Sequence, residues 1–218
     1  MITARLSVVT EPLDIPLEPL SDRYGFDRGT PLDRRYIEEF LNEHRNAIRG
    51  SVLEVEGDMY TRMFGAGRVA TCTVVDIDSS NPRATLVADL SEADSLAPET
   101  YDCIILTQTL HLLRRPGRCL ENCYGALRPA GVLLATAPSL SRVSPSYPDG
   151  DFWRFTQAGM TELVSRRWPG EFSVRAFGNL RTCVGFLIGE VVEDLPEAVL
   201  DHADSRFPLT IAVEARKP

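Results

Sequence analysis

Two carboxylates at the ends of apolar, β-branched runs are the residues of this chain best suited to chemistry. Asp76 closes the run over residues 71–75, and Asp89, followed by Leu90, closes the run over residues 84–88. An acid at a strand tip can accept both hydroxyls of a ribose, and a charge-assisted hydrogen bond of that kind is worth roughly 1.5–3 kcal/mol. An acid beside an apolar side chain suits a purine, because the carboxylate takes the exocyclic amine while the neighbour packs on the ring. Upstream, Val52-Leu53-Glu54-Val55 is a short apolar run broken by one carboxylate, and Gly57 follows. That pattern predicts a buried strand entering a tight turn. With a short helix over residues 60–65, the segment is a strand, a glycine turn, a helix and a second strand tipped by an acid, which is half of a nucleoside-binding α/β unit.

Other candidates lie further along. A fourth apolar run over residues 101–106 ends at Thr107 and Gln108, and His111 follows. A histidine there either packs in the next helix or removes the proton of a hydroxyl nucleophile. The stretch from Tyr24 to Gly29 crowds aromatics, opposite charges and two glycines. It reads as a capping loop with an internal ion pair, or as a flap through which Tyr24 and Arg28 reach a carboxylate or a substrate. A proline- and serine-rich stretch after the fifth strand holds Tyr147, Asp151, Trp153, Arg154 and Phe155. Long loops in compact domains are commonly lids, so these side chains either anchor the loop to the core or wall an acceptor pocket, with Asn179 at the rim.

These residues need a scaffold, and the chain supplies one. Its 218 residues, 44% hydrophobic and 25% charged, are enough for a single α/β domain with a full core. Residues 1–20, with prolines that block helix, read as an extended arm. Leu32, Tyr36, Ile37, Phe40 and Leu41 recur at helical spacing behind Pro31 and predict a helix ending near Gly50. Further apolar runs over 132–136 and 172–177 alternate with helical stretches over 117–127, from about 156, and over 181–195. The alternation predicts a parallel sheet with helices on both faces. In such sheets ligands bind beyond the carboxyl ends of the strands, where Glu54, Asp76, Asp89 and Thr107 fall.

Charge and composition exclude several classes. A formal charge of −8 offers no basic face for a nucleic-acid backbone. No apolar run reaches the ~20 residues of a membrane span, and the first residues lack a basic stretch leading into an apolar one. A cytoplasmic protein, monomeric or homodimeric, is expected. The five cysteines form no CxxC pair and suit a reducing compartment. Cys119 and Cys123 make at most half a metal site, so no metal is expected.

The segments "VLEVEGDMYT", "VVDID", "VADL", "YDCIILTQTLHLL" and "LRPAGVLLATAPS", in this order, resemble the class I S-adenosylmethionine-dependent methyltransferases, most closely the small-molecule type 11. "YGFDRGTPLDRRYIEEFL" and "FWRFT" resemble stretches of a bacterial branch found beside glycosyltransferase and natural-product genes. The resemblance implies a Rossmann-like seven-stranded sheet, mostly parallel, with an antiparallel last strand in "FPLTIAVEARK". Residues 1–50 would form the arm and cap helix, 51–140 the cofactor core, and 141–218 the acceptor-side lid and last strands. It also implies S-adenosylmethionine as cofactor and S-adenosylhomocysteine as product. Glu54, Gly57 and Tyr60 would lie near the methionine, Asp76 and Ile77 at the ribose, Asp89 and Leu90 at the adenine, and Thr107 and Gln108 under the sulfonium. The acceptor would be a small molecule, sugar or peptide, held by Tyr147, Trp153, Arg154 and Asn179. One departure is plain: the family turn GxGxG is here Glu56, Gly57, Asp58, Met59, Tyr60. That leaves room for a non-catalytic partner subunit. A nicotinamide-dependent oxidoreductase fits less well, because a pyrophosphate needs bare backbone amides and these acids repel its charge.

Overall fold

The structure, a computed structural model, describes residues 15–147 and 149–218. The expected arm falls largely on residues 1–14, outside the described residues. Its last stretch, 15–20, carries no helix or strand, and Leu20 donates its N–H to the Ile188 carbonyl at 2.7 Å.

Among the described residues, the seven strands are β1 (Gly50–Val55), β2 (Val69–Asp76), β3 (Leu86–Val87), β4 (Tyr101–Thr107), β5 (Leu127–Pro138), β6 (Phe172–Phe177) and β7 (Thr210–Arg216). They form one sheet in the order β3-β2-β1-β4-β5-β7-β6. The first five run parallel, and β7 lies antiparallel between β5 and β6. The helices are α1 (Leu32–Glu43), α2 (Pro116–Ala126), α3 (Gln157–Ser165), α4 (Leu180–Ile188) and the single turn α5 (Glu197–Leu200). This is the Rossmann-like architecture expected from the sequence.

Side chains alternate across a strand, so the sheet divides the core in two. Leu53, Ile104, Leu106, Leu133 and Val213 pack with Cys119 and Leu120 of α2 and with Met160 and Val164 of α3. Their strand neighbours Val52, Cys103, Ile105, Val132 and Leu134 face the other way and pack with Tyr36, Ile37, Phe40 and Leu41 of α1 and with Phe186 of α4. The apolar stripe read from α1 is fully covered.

Several boundaries differ from the sequence reading for local reasons. α1 stops at Glu43, and one further turn, Arg45–Ala47, leads into β1. Gly50 has φ +66°, and a Cβ there would strike the Asp102 carboxylate, which accepts the Ser51 N–H at 2.7 Å. β3 shrinks to two residues because the Thr85 hydroxyl, not a backbone carbonyl, takes the Val74 N–H at 3.0 Å. The helix expected over 60–65 is a wide π-type turn, Thr61–Gly65, followed by a tight turn, Ala66–Arg68. α4 ends at Gly189, whose φ of +84° stops a helix that the apolar pattern carried on to 195.

Candidate active site

Parallel strands bring their carboxyl ends to one rim, and the chain reverses its order of strands between β1 and β4. A crevice is expected at that switch point. Two adjoining clefts lie there, of ≈ 220 and ≈ 230 Å³.

Asp76, Ile77, Asp89 and Leu90 all line the first cleft. Asp76 sits at the tip of β2, where it accepts the Asp78 N–H at 2.9 Å and the Asn81 side-chain amide at 2.6 Å. The same Asn81 amide donates to the Glu56 carbonyl at 2.9 Å and ties the tips of β1 and β2 together. Asp89 accepts the Ser91 N–H at 2.7 Å and its hydroxyl at 2.6 Å. Leu90 is buried below, so an acid stands beside an apolar floor. Among the described residues, the lining holds Glu56, Asp76 and Asp89 but no Lys or Arg. Such a groove suits a ribose, an amine or a cation and repels a pyrophosphate.

Val55, Glu56, Gln108, Leu112 and Tyr147 line both clefts and form the waist between them. Glu56 and Gln108, directly past the ends of β1 and β4, have φ of +67° and +47° without being glycine. Strained backbone of this kind costs of order 1–3 kcal/mol per residue and tends to gather at ligand sites. Tyr147 leans over the waist; partial burial pushes its hydroxyl pKa up, and the charges of Glu56, Asp76 and Asp78 push it further.

The second cleft is the more polar. Thr107, His111, Ser141, Ser144 and Tyr24 line it, together with Asp33 and Arg34 from the first turn of α1. Asp33 Oδ1 and Arg34 Nε are buried and have no hydrogen-bond partner among the described residues. Burial raises the Asp33 pKa against the pull of Arg34. Buried polar atoms left alone call for a partner, and here a carboxylate and a guanidinium stand side by side in one cleft. From the sequence, neither residue is singled out for a site. The signal available was an acid and a base at adjacent positions just inside the helix start.

His111 sits in the turn Leu110–Leu112, and its backbone carbonyl accepts the N–H groups of Phe152 and Trp153. The acceptor-side loop is thereby fastened beside the ring. Nδ1 is buried without a partner among the described residues. Desolvation lowers the His111 pKa from 6.5 to about 4, while Asp151 and Arg154 act in opposite directions. The imidazole is therefore neutral at pH 7.

Other sequence candidates point elsewhere. Alternation puts Glu54 on the α1 face of β1, where its buried carboxylate accepts the Tyr60 and Thr61 N–H groups at 2.9 and 2.7 Å; it holds the turn and lines neither cleft. Tyr60 is buried, stacks on Phe64 and accepts from Arg34 Nη1 at 3.0 Å, so it does not cover a ligand. Gly57 makes the expected tight turn, with its N–H on the Val55 carbonyl, but lines neither cleft. Arg28 turns away to the Gly189 carbonyl and to Asp194 at 3.0 Å, so the loop's ion pair is not internal. Tyr24 does reach the second cleft, stacked on Phe186 under the Arg142 guanidinium. Asn179 is the N-cap of α4 and donates to the Val199 and His202 carbonyls; it is not on a pocket rim. Trp153 bonds to the Leu113 carbonyl and lines a separate outer groove. Arg154 braces the loop against Asp151 and the Ser141 and Arg142 carbonyls. Both follow the anchoring alternative rather than the pocket-wall one.

The donor set fits S-adenosylmethionine. Acids stand at the tip of β2 and just past β3 for an adenosine, and Asp33 and Arg34, each with one buried atom lacking a partner among the described residues, stand beyond the waist for an amino-acid end. Residues 57–135 match the family model described as a methyltransferase domain. No curated protein matches the sequence. Among solved structures, the chain is similar to a SAM-dependent methyltransferase from Archaeoglobus fulgidus, at 15% identity and a TM-score of 0.56, over 84% of this chain and 94% of that one. It is similar to an S-adenosylmethionine-dependent methyltransferase from Mesorhizobium loti, at 13% identity and 0.59, over 85% and 100%. It is also similar to the [4+2]-cyclase SpnF, at 13% and 0.57, over 94% and 89%. At such identities the likeness shows the fold. Sheet order and neighbours together give the chain a class I methyltransferase fold, with the methyltransferase-domain match confined to residues 57–135. Among the described residues, no helix is long and apolar enough to cross a membrane.

Proposed function

We propose that the chain methylates an oxygen of a small polar acceptor, a hydroxyl- or carboxylate-bearing metabolite, sugar or peptide, in a biosynthetic pathway. The observation that carries this reading is the pair of clefts meeting at Glu56, Gln108 and Tyr147, with acids on one side and His111 only on the other. When bound, S-adenosylmethionine supplies an electrophilic methyl on a sulfonium. Asp76 accepts the ribose hydroxyls, and Asp89 takes the exocyclic amine of a purine lying on Leu90. Asp33 receives the ammonium and Arg34 the carboxylate of the amino-acid end. Gln108 and Tyr147 narrow the waist, so that the acceptor oxygen meets the methyl in line. Placement of this kind is worth up to roughly 7–11 kcal/mol. With that methyl donor in the first cleft, the neutral His111 would take the proton of a hydroxyl acceptor, and a carboxylate acceptor would need no base.

Calorimetry with S-adenosylmethionine, S-adenosylhomocysteine and NAD tests the reading. The first two should bind and NAD should not; NAD binding, or the absence of any binding, would sink it. His111→Ala should depress turnover with little change in cofactor affinity, and unchanged turnover would remove the histidine from the reaction.

A further inference from the structure

We infer that the Glu56 carboxylate reads the positive charge of the methyl donor, so that the cleft holds the sulfonium in preference to the neutral thioether left after transfer. The inference rests on the reading proposed above and adds a specificity-determining residue to it. It starts from backbone conformation. Glu56 adopts φ +67°, a region glycine enters freely and a glutamate does not. Its N–H donates to the Val75 carbonyl at 2.9 Å, and its own carbonyl accepts from Asn81 at 2.9 Å. Glycine would make both bonds without strain. The side chain must therefore be explained by what it does, and inference from an outlier to function is sound in that direction.

That side chain is exposed and makes no hydrogen bond or ion pair among the described residues. Its neighbour Asp58, by contrast, is paired with Arg62 at 2.6 Å. The cation of the second cleft, Arg34, is engaged, with Nη1 on the Tyr60 hydroxyl and the guanidinium over the Phe26 ring at 5.5 Å. Glu56 thus presents a carboxylate at the waist that has no hydrogen bond or ion pair of its own among the described residues and feels Arg34 only at a distance, flanked by Asp76, Tyr147 and Gln108. Its place along the rim is also telling. Neighbouring strands lie about 4.8 Å apart, and Glu56 follows the tip of β1, between the tips of β2 and β4. A nucleoside whose ribose is held at the tip of β2 extends its 5′ substituent over β1, which brings a 5′ sulfonium to this carboxylate.

The test is calorimetry of S-adenosylmethionine and S-adenosylhomocysteine on the full chain, as wild type, Glu56→Gln and Glu56→Gly, with a thermal melt of each. Both variants should weaken the sulfonium ligand about fivefold relative to the thioether, the upper end for losing one partly solvated charge pair. Affinity for the thioether should stay within about threefold of wild type. Glu56→Gly should melt no lower than wild type, because the strain is relieved. An unchanged ratio, or equal losses for both ligands, would overturn the role of Glu56 and leave the proposed function standing. A wild type that binds neither ligand would overturn the proposed function, and this inference with it.

Discussion

Shielding of His111 sets a pH dependence that can be measured without knowing the acceptor. In the folded chain its pKa falls from 6.5 to about 4, so between those values the unfolded chain binds more protons than the folded one. Stability must then fall as pH drops through that window. Two and a half units correspond to about 3.4 kcal/mol in full, of which about 2 kcal/mol is lost between pH 7 and pH 5. For a chain of this size that amounts to roughly 4–8 °C in Tm. The perturbation is His111→Gln, which keeps a polar side chain but cannot titrate. His44 and His202 remain in both proteins, so the difference between the two pH profiles isolates one imidazole. Wild type should lose about 2 kcal/mol more than the variant between pH 7 and 5 by urea unfolding. Parallel losses would mean that the ring is open to water, and the shielding argued for His111 would fail.

Three further outcomes are expected. Asp76→Asn should weaken S-adenosylmethionine roughly ten- to a hundredfold by calorimetry while moving the melting temperature little. Arg34→Met should weaken the same ligand, and Arg28→Met should leave its affinity unchanged, since Arg28 faces Gly189 and Asp194; the reverse pattern would restore the flap reading of residues 24–29. Asn179→Ala should cost about 1–2 kcal/mol in urea unfolding through loss of the α4 cap, with binding untouched.

The sheet was readable because burial on both faces demands near-continuous apolar runs, and four of them lead into polar residues at one rim. Asp76 and Asp89 were readable for the same reason, since an acid ending an apolar run has nowhere else to be than the strand tip. Glu54 shows the limit of that logic. One residue of register turns a side chain from the rim to the α1 face, and no feature of "VLEVEGD" marks where the strand ends. Asn179 and Arg28 were misplaced differently: their partners, the Val199 and Gly189 carbonyls, are backbone atoms far away or unmarked by side-chain type. Asp33 and Arg34 belong to the cleft because the first turn of α1 shares it with residues at the ends of β1 and β4, a tertiary fact that helical periodicity does not carry.

The Asn81 amide that joins the Glu56 carbonyl to the Asp76 carboxylate bears on how the protein ages. Asparagine ordinarily decays to aspartate when the amide nitrogen of the next residue attacks its side chain, and a third acid here would push the other two apart. The next residue is Pro82, which has no N–H to make that attack. The tie between the two strand tips is therefore shielded from the commonest spontaneous damage to an asparagine, and the groove should keep its shape over long storage.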